Sequence, residues 1–334
     1  MRFAGVELEV LQGDALRYAS DLLVLKYAQA SYGVDEAAVR LAGIRVSELP
    51  ATGDELLVAN PPRLSSSHLL FLGVEPIYTF DYRSIHRFAM RAVAMASEVV
   101  PPVREISMTM HGIGFGLDEV EAFSAQIAGI VAALSSGHHP ASLRAIKILE
   151  LNQGRVDRMT QVLAALLDPA EQARGNTMAD SRPADGGRQP HRLGSAAYDP
   201  GAQPHAFVAM PFAASYEDIF YYGIAPPIRG AGLLCERIDQ FTFTGDVVER
   251  MRERIASSAV VVADLSNANP NVYLEVGYAW GVKVPCVLIC DKKTDLKFDL
   301  RGQRCLFYGS IMELEKTLSA ELTALSRQVA PWRS

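Results

Sequence analysis

Short apolar runs alternate with segments of helical period along most of the chain. The alternation is cleanest after residue 205. There, strands are predicted over 206–210, 233–238, 259–264, 285–290 and 304–308. Helices are predicted over 216–229 (broken near Pro226-Pro227), 246–257, 271–282 and 311–329. The run at 259–264 is nearly all valine, as a strand buried on both faces requires. Strand–helix alternation of this kind predicts a doubly wound parallel sheet. Before residue 168 the pattern is mixed. Strands are expected over 6–11, 22–26, 56–59, 68–73, 105–110 and 145–151, and helices over 34–42, 82–99, 118–134 and 155–167. Between the halves, 168–204 is rich in Pro, Gly, Ala and polar residues and has no apolar period. It reads as a flexible linker. The expected layout is a domain over 1–167, a linker over 168–204 and a domain over 205–334. The expected fold class is α/β, with helices on both faces of a sheet in each domain.

Composition narrows this picture. Of 334 residues, 49% are hydrophobic and 21% charged, enough for two globular cores. The formal net charge of -6 argues against a nucleic-acid or anionic-membrane surface, but not against a single nucleotide. The first residues lack the apolar core of a signal peptide. No run approaches the ~18–20 apolar residues of a membrane span. The four cysteines, Cys235, Cys286, Cys290 and Cys305, read as free thiols in a reducing cytoplasm. Cys286 and Cys290 share a strand face, yet no histidine or second close pair completes a metal set, so no metal is expected.

Candidate chemistry concentrates at 260–279. A buried strand ends at Asp264, a polar loop follows, and a helix begins near Pro270 with Asn269 as a plausible N-cap. Glu275 then lies about one and a half turns into that helix. In an open α/β sheet the carboxyl ends of strands bind ligands. An acid there can attack an electron-poor anomeric carbon or stabilise an oxocarbenium-like transition state. It can equally be an ordinary early-helix glutamate favoured by the helix dipole. Met210, Pro211 and Phe212 end the first strand of this half, and Arg237 and Asp239 end the second. Asp246 opens a helix, Asn271 follows the cap, and Arg301 lies near the fifth strand. Taken singly, each reads as a solvated loop or cap residue; taken together, their expected placement on one edge of the sheet makes them candidate substrate contacts.

At this point the sequence resembles a family. FVAMPF, YEDIF, AGLLCERID, the Asp264 motif, NPNVYLEVGYAWG and FDLRG are similar to the nucleoside 2-deoxyribosyltransferase-like superfamily, over about 205–310. They are most similar to its branch bordering the TIR-like domains. The resemblance implies a flavodoxin-like fold, cleavage of an N-glycosidic bond, and Glu275 as the catalytic glutamate. It also implies that Asp246 assists base departure and that the protein self-associates. The transferases carry an aspartate six residues before the glutamate, where this chain has Asn269. An amide can hydrogen-bond Glu275, but it cannot raise its basicity by charge repulsion.

The N-terminal half carries a second set. Gly13-Asp14 follows a strand, Tyr32-Gly33-Val34-Asp35 precedes a helix, and His111-Gly112-Ile113-Gly114-Phe115-Gly116 follows another strand. Glycines in such loops let backbone N–H groups approach a diphosphate, though tight turns alone also explain them. The order of segments resembles a macro domain, or the N-terminal domain of leucine aminopeptidases, over about 5–165. That resemblance implies binding of ADP-ribose or a related nucleotide. By it, Asp14 would contact the adenine, and the loop containing Gly112, Ile113, Gly114 and Phe115 would hold the phosphates. The segment Lys26–Gly33 has no asparagine and one glycine, which departs from the hydrolysing macro domains and points to a reader. His111 can be a ligand contact, although a lone histidine beside a glycine is more often a solvated loop residue.

Two function classes follow. One is an enzyme: an N-glycosidase or deoxyribosyltransferase-like protein acting on a nucleoside, nucleotide or NAD, with an ADP-ribose-sensing domain and no required cofactor. The other is a pair of nucleotide-binding modules without turnover. A TIR-like defence effector that depletes NAD is a variant of the first.

Overall fold

A computed structural model of the chain describes residues 1–30, 32–77, 79–112, 116–168, 203–211, 213–238, 245–294 and 304–328, with the side chains of 245–247 and 328 left aside. The expected linker falls almost wholly outside these residues. The chain divides into two units, Met1–Gly112 with Val120–Gly201, and Ile113–Glu119 with Ala202–Ser334.

The first unit holds a seven-stranded mixed sheet. Its strands are β1 (Arg2–Phe3), β2 (Val6–Gln12), β3 (Leu22–Tyr27), β4 (Glu55–Ala59), β5 (His68–Gly73), β6 (Glu105–Thr109) and β7 (Ala145–Glu150), in the order β1-β2-β7-β6-β3-β5-β4. β1 and β4 run antiparallel to their neighbours, and the central strands are parallel. Burial follows the residue pattern. β5, with the sequence HLLFLG, is buried throughout, whereas the edge strand β4 alternates between exposed and half-buried. Four helices accompany the sheet: α1 (Gly33–Ala42), α2 (Tyr82–Met95), α3 (Glu119–Ser135) and α4 (Gln153–Leu167). Asp81 caps α2 by accepting from Ser84 N at 2.8 Å, and Asn152 caps α4 by accepting from Arg155 N at 3.0 Å. The helix expected over 82–99 stops earlier as an α-helix, and its last turn tightens to 3₁₀ over Ala96–Glu98.

The second unit holds five parallel strands: β8 (His205–Ala209), β9 (Leu234–Glu236), β10 (Val260–Asp264), β11 (Cys286–Asp291) and β12 (Cys305–Tyr308). Their order is β12-β11-β10-β8-β9. The first strand of this unit therefore lies between the second and the third, the flavodoxin-like doubly wound arrangement. The helices are α5 (Ala225–Gly230), α6 (Gly245–Ser257), α7 (Pro270–Gly281) and α8 (Ile311–Gln328).

The expected break at Pro226-Pro227 is instead a start. The two prolines occupy the first turn of α5, where their missing N–H groups are no loss. The preceding residues, Ile219–Ile224, form a π-helix. Gly223 sits within it because a Cβ there would meet Leu314 Cδ2 of α8 at 2.9 Å.

Two apolar clusters flank this sheet. One joins Val208, Val260 and Val262 to Met210, Tyr216, Phe220, Ile228 and Leu314. The other joins Phe207, Ala209, Val261 and Ala263 to Ile255 of α6 and Val272, Val276 and Ala279 of α7. The chain thus leaves β8 toward one face and β10 toward the other. The gap between their carboxyl ends is the topological switch point, where such sheets hold ligands.

Candidate functional site

Glu275 is placed by a capped helix. Asn269 is the N-cap of α7, and Pro270 occupies its first position. Asn269 Oδ1 accepts from Asn271 N at 2.9 Å. The apolar spacing Val272, Val276 and Ala279 turns one face of α7 to the sheet, and Glu275 falls on that face. It is 5% exposed. Among the described residues no hydrogen bond or ion pair reaches its carboxyl. Burial alone pushes that carboxyl up to about 8. An unpaired buried acid with a displaced proton is a functional-site signal in its own right. The cap also settles the geometry of Asn269, whose Oδ1 serves its own helix terminus and does not hold Glu275.

Asp264 is the second acid, and it is organised differently. It ends β10 and is fully buried. Oδ1 accepts from Ser266 N at 3.0 Å, and Oδ2 accepts from Tyr308 Oη at 2.9 Å. Ser266 Oγ in turn accepts from Asp291 N at 2.9 Å. Burial raises the Asp264 pKa against the lowering effect of Ser266 and Tyr308. Tyr308 is raised by burial and then by the Asp264 charge. The network ties the carboxyl ends of β10, β11 and β12 together. Tyr308→Phe leaves Asp264 one donor short, and a loss of about 1–3 kcal/mol in denaturant unfolding is expected. A change under 0.5 kcal/mol would mean that the bond is not formed in solution.

The single edge expected from the sequence divides into two faces. Asp264 shares strand parity with Val260 and Val262 and is bonded to Tyr308, so it belongs with Met210, Tyr216 and Phe220. Glu275 lies on the helix that covers the opposite face. Asp264, expected as a substrate contact, is a buried acid with both carboxylate oxygens hydrogen-bonded. Met210 and Pro211 follow β8 and are buried. Arg237 follows β9, and its guanidinium carbon lies 3.9 Å from the Phe220 ring centroid. Asn271 is exposed on the first turn of α7. Asp246 lies in the first turn of α6, and its side chain is not described. Phe212, Asp239 and Arg301 lie outside the described residues. The loop after β10 carries two successive left-handed residues, Asn267 (φ 59°) and Ala268 (φ 49°). Such strain in an alanine is uncommon and clusters at functional sites.

In the first unit, Asp14 follows β2 and is half-buried. Its Oδ1 accepts from Leu16 N at 2.9 Å, and its backbone carbonyl accepts from Arg17 N and Tyr18 N at 3.0 Å each. Gly33 opens α1 with φ 59°, and Gly112 is buried with φ 82°. Ile113, Gly114 and Phe115 lie outside the described residues.

The sequence did not point to a further cluster in this unit. Lys26, near the end of β3, donates to Asp35 Oδ2 of α1 at 2.7 Å. Both are almost wholly buried. The ammonium also lies 4.6 Å from the Tyr32 ring centroid. Burial opposes the charge on Lys26, but Asp35 and Tyr32 outweigh it and raise its pKa. His111 is 3% exposed, not solvated. It packs edge-on against Phe88 with centroids 4.4 Å apart. Burial, and then the Lys26 charge, hold it neutral, well below the ordinary histidine range. Among the described residues, Asp35 Oδ1, His111 Nε2 and Thr109 Oγ1 are buried without a hydrogen-bond partner. One signal was available in the sequence: a lysine closing the apolar run LLVLK, with an acid at the start of the next helix. Gln29 Nε2 fastens the intervening loop by donating to Pro50 O and Val74 O at 3.3 and 3.2 Å.

Among the described residues there is no group of three His, Cys, Asp or Glu side chains placed to hold a metal ion. Nor is any described helix long and apolar enough to cross a membrane.

Two α/β units, one mixed and one doubly wound and parallel, are the class of protein that these observations define. No protein-family model matches the chain, and no curated protein does. Among solved structures, it is similar to the Oceanobacillus iheyensis macrodomain with MES bound, at 18% identity. That alignment covers 48% of this chain and 92% of that one, with a TM-score of 0.40. It is also similar to a Trypanosoma brucei macrodomain in complex with ADP-ribose, at 16% identity. There the cover is 47% of this chain and 69% of that one, and the TM-score is again 0.40.

Proposed function

We propose that the second unit cleaves the N-glycosidic bond of a nucleoside, nucleotide or NAD-like molecule, with Glu275 as the nucleophile. The observation that carries this reading is the unpaired, buried Glu275 carboxyl on α7 beside the β8/β10 switch point. The ionised carboxylate attacks the anomeric carbon as the bond to the base nitrogen breaks. The base leaves with the electron pair of that bond; water then hydrolyses the glycosyl ester, its hydroxyl going to the anomeric carbon and its proton to the departed base, or to solvent where the base leaves neutral, and the Glu275 carboxylate is regenerated. A partner-free acid in apolar surroundings is poorly solvated and therefore reactive when ionised. Incubation of the full chain with nucleosides, nucleotides and NAD, with chromatography for free base, tests the reading. Release that Glu275→Gln abolishes is expected. Release that the variant retains would remove Glu275 from the mechanism.

A second reading, binding without turnover, is favoured by one specific observation. Asn269 caps its helix, and among the described residues nothing orients Glu275. Saturable binding by calorimetry with no free base over hours would select it. In either case we assign the first unit to reading an ADP-ribose-type ligand. The support is the set of unpartnered atoms on Asp35, His111 and Thr109 near the carboxyl ends of β3 and β6. A TIR-like effector would in addition lower cellular NAD on expression.

A further inference from the structure

The second unit takes one strip from the first half of the chain. Ile113–Glu119 belongs to it, whereas Gly112 before and Val120 after belong to the first unit. Buried polar bonds fasten the strip. Asp118 is 2% exposed. Its Oδ2 accepts from Arg229 Nε of α5 and from Cys235 N of β9, each at 2.9 Å. The carboxylate thus serves a cation and a backbone N–H of the edge strand together. Tyr221 Oη, in the π-helix, donates to Glu119 Oε2 at 3.1 Å. Gly116 has φ 94°, and a Cβ there would meet Ile238 Cγ1, just past β9, at 3.1 Å. Any side chain at 116 would be strained and crowded.

The strip has little slack at either end. Toward the N-terminus, four peptide units join Gly112 to Gly116, a reach of at most about 14 Å. Toward the C-terminus there is no spacer, because Glu119 and Val120 are successive residues of α3. That helix is tied into the first unit by Gln126, whose Nε2 donates to Thr109 O at the end of β6 at 3.0 Å. Thr109 and His111, which carry unpartnered buried atoms among the described residues, directly precede Gly112 and the strip. In the second unit the strip is bonded to β9, which pairs with β8, one of the two strands at the switch point. Packed helices and buried bond networks of this kind carry coupling between sites.

We propose that this strip makes the two units one cooperative system, with Asp118 as its anchor. Whatever stabilises or loosens the first unit is then felt at β9 and α5 of the second. The regulatory consequence rests on the ADP-ribose-type reading of the first unit: a ligand held there stabilises the second unit as well, and a ligand of the second stabilises the first.

Urea unfolding of the full-length protein tests the coupling without a ligand. Both tryptophans, Trp280 and Trp332, fall in the second unit, so intrinsic fluorescence follows that unit, whereas far-UV circular dichroism follows both. Lys26→Ala weakens the first unit by stranding Asp35. Its fluorescence midpoint is expected to fall together with its dichroism midpoint, by about 1 M urea. Should Lys26→Ala leave the first unit unfolded in buffer, the fluorescence midpoint is read in the same way. In an Asp118→Ala background, Lys26→Ala should move the dichroism alone. Asp118→Asn, which keeps the shape and one acceptor, should retain part of the shared shift. A fluorescence midpoint unmoved by Lys26→Ala overturns the proposal, whatever becomes of the Asp118 variants. So does a shared shift that survives Asp118→Ala, or, where that variant does not fold, one that Asp118→Asn leaves undiminished. Added ADP-ribose should raise both midpoints; a rise in dichroism alone overturns the coupling. No effect of ADP-ribose on either probe, with the shared shift present, would refute the ligand reading and leave the coupling standing.

Discussion

Glu275→Gln is expected to lower base release by at least 10²–10⁴-fold while making the protein more stable at neutral pH. The two effects share one cause. In the unfolded chain the carboxyl ionises near 4.5, and in the fold it holds its proton to about 8. The folded pKa is the higher one, so the unfolded chain releases its proton first as pH rises. Stability is therefore lost progressively from about pH 4.5 to about pH 8, on the order of 4 kcal/mol in total. Glutamine keeps the shape and removes the titration. Denaturant unfolding at pH 5 and pH 8 should show the variant and the parent close together at the lower pH and separated at the higher. Activity should mirror this, rising toward pH 8 as the nucleophile ionises. A variant destabilised at pH 8 would contradict the stability half of the prediction, and one that retains base release would contradict the activity half.

The second large effect is expected in the first unit. Lys26 and Asp35 form an ion pair whose side chains are only 7% and 3% exposed. Removing one partner strands a buried charge, which costs about 3–5 kcal/mol. Lys26→Ala should therefore lower the unfolding free energy of the first unit by about that amount. Lys26→Met combined with Asp35→Leu should recover most of it, because packed apolar groups need no partner. The ADP-ribose-type binding proposed for the first unit should fall in both variants. A single variant costing less than 1 kcal/mol would show that the pair is open to solvent. Full recovery of stability in the double variant, with ADP-ribose binding intact, would separate the pair from ligand recognition.

How much of this was legible in the chain depended on whether the deciding interaction was local. The valine run of β10 and the Asn269-Pro270 start of α7 were legible, because burial on both faces and capping act within a few residues. The α-helix expected at 216–229 became a π-helix and a proline-led α-turn, because the close packing of Gly223 against Leu314 comes from 91 positions away. The burial of His111 was not legible, because Phe88, which packs on its ring, and Lys26, whose charge it feels, lie on other elements. The parity of Asp264 with Val260 and Val262 was there to be counted. Which helix covers which face was not, since that depends on strand order. The place of Glu275 in the second turn of α7 was legible from the cap; its burial was not, since that depends on which helix face packs on the sheet.

The separation of Asp264 from Glu275 by the thickness of the sheet has a consequence for how the site titrates. Paired carboxylates share a proton and lose their charge states in two linked steps that belong to neither residue. Here burial alone displaces the Glu275 proton, with no contribution from a second acid. The sheet acts as an insulator between them. The nucleophile should accordingly behave as a solitary acid, with one inflection, unit slope, and a midpoint that Tyr308→Phe leaves where it was.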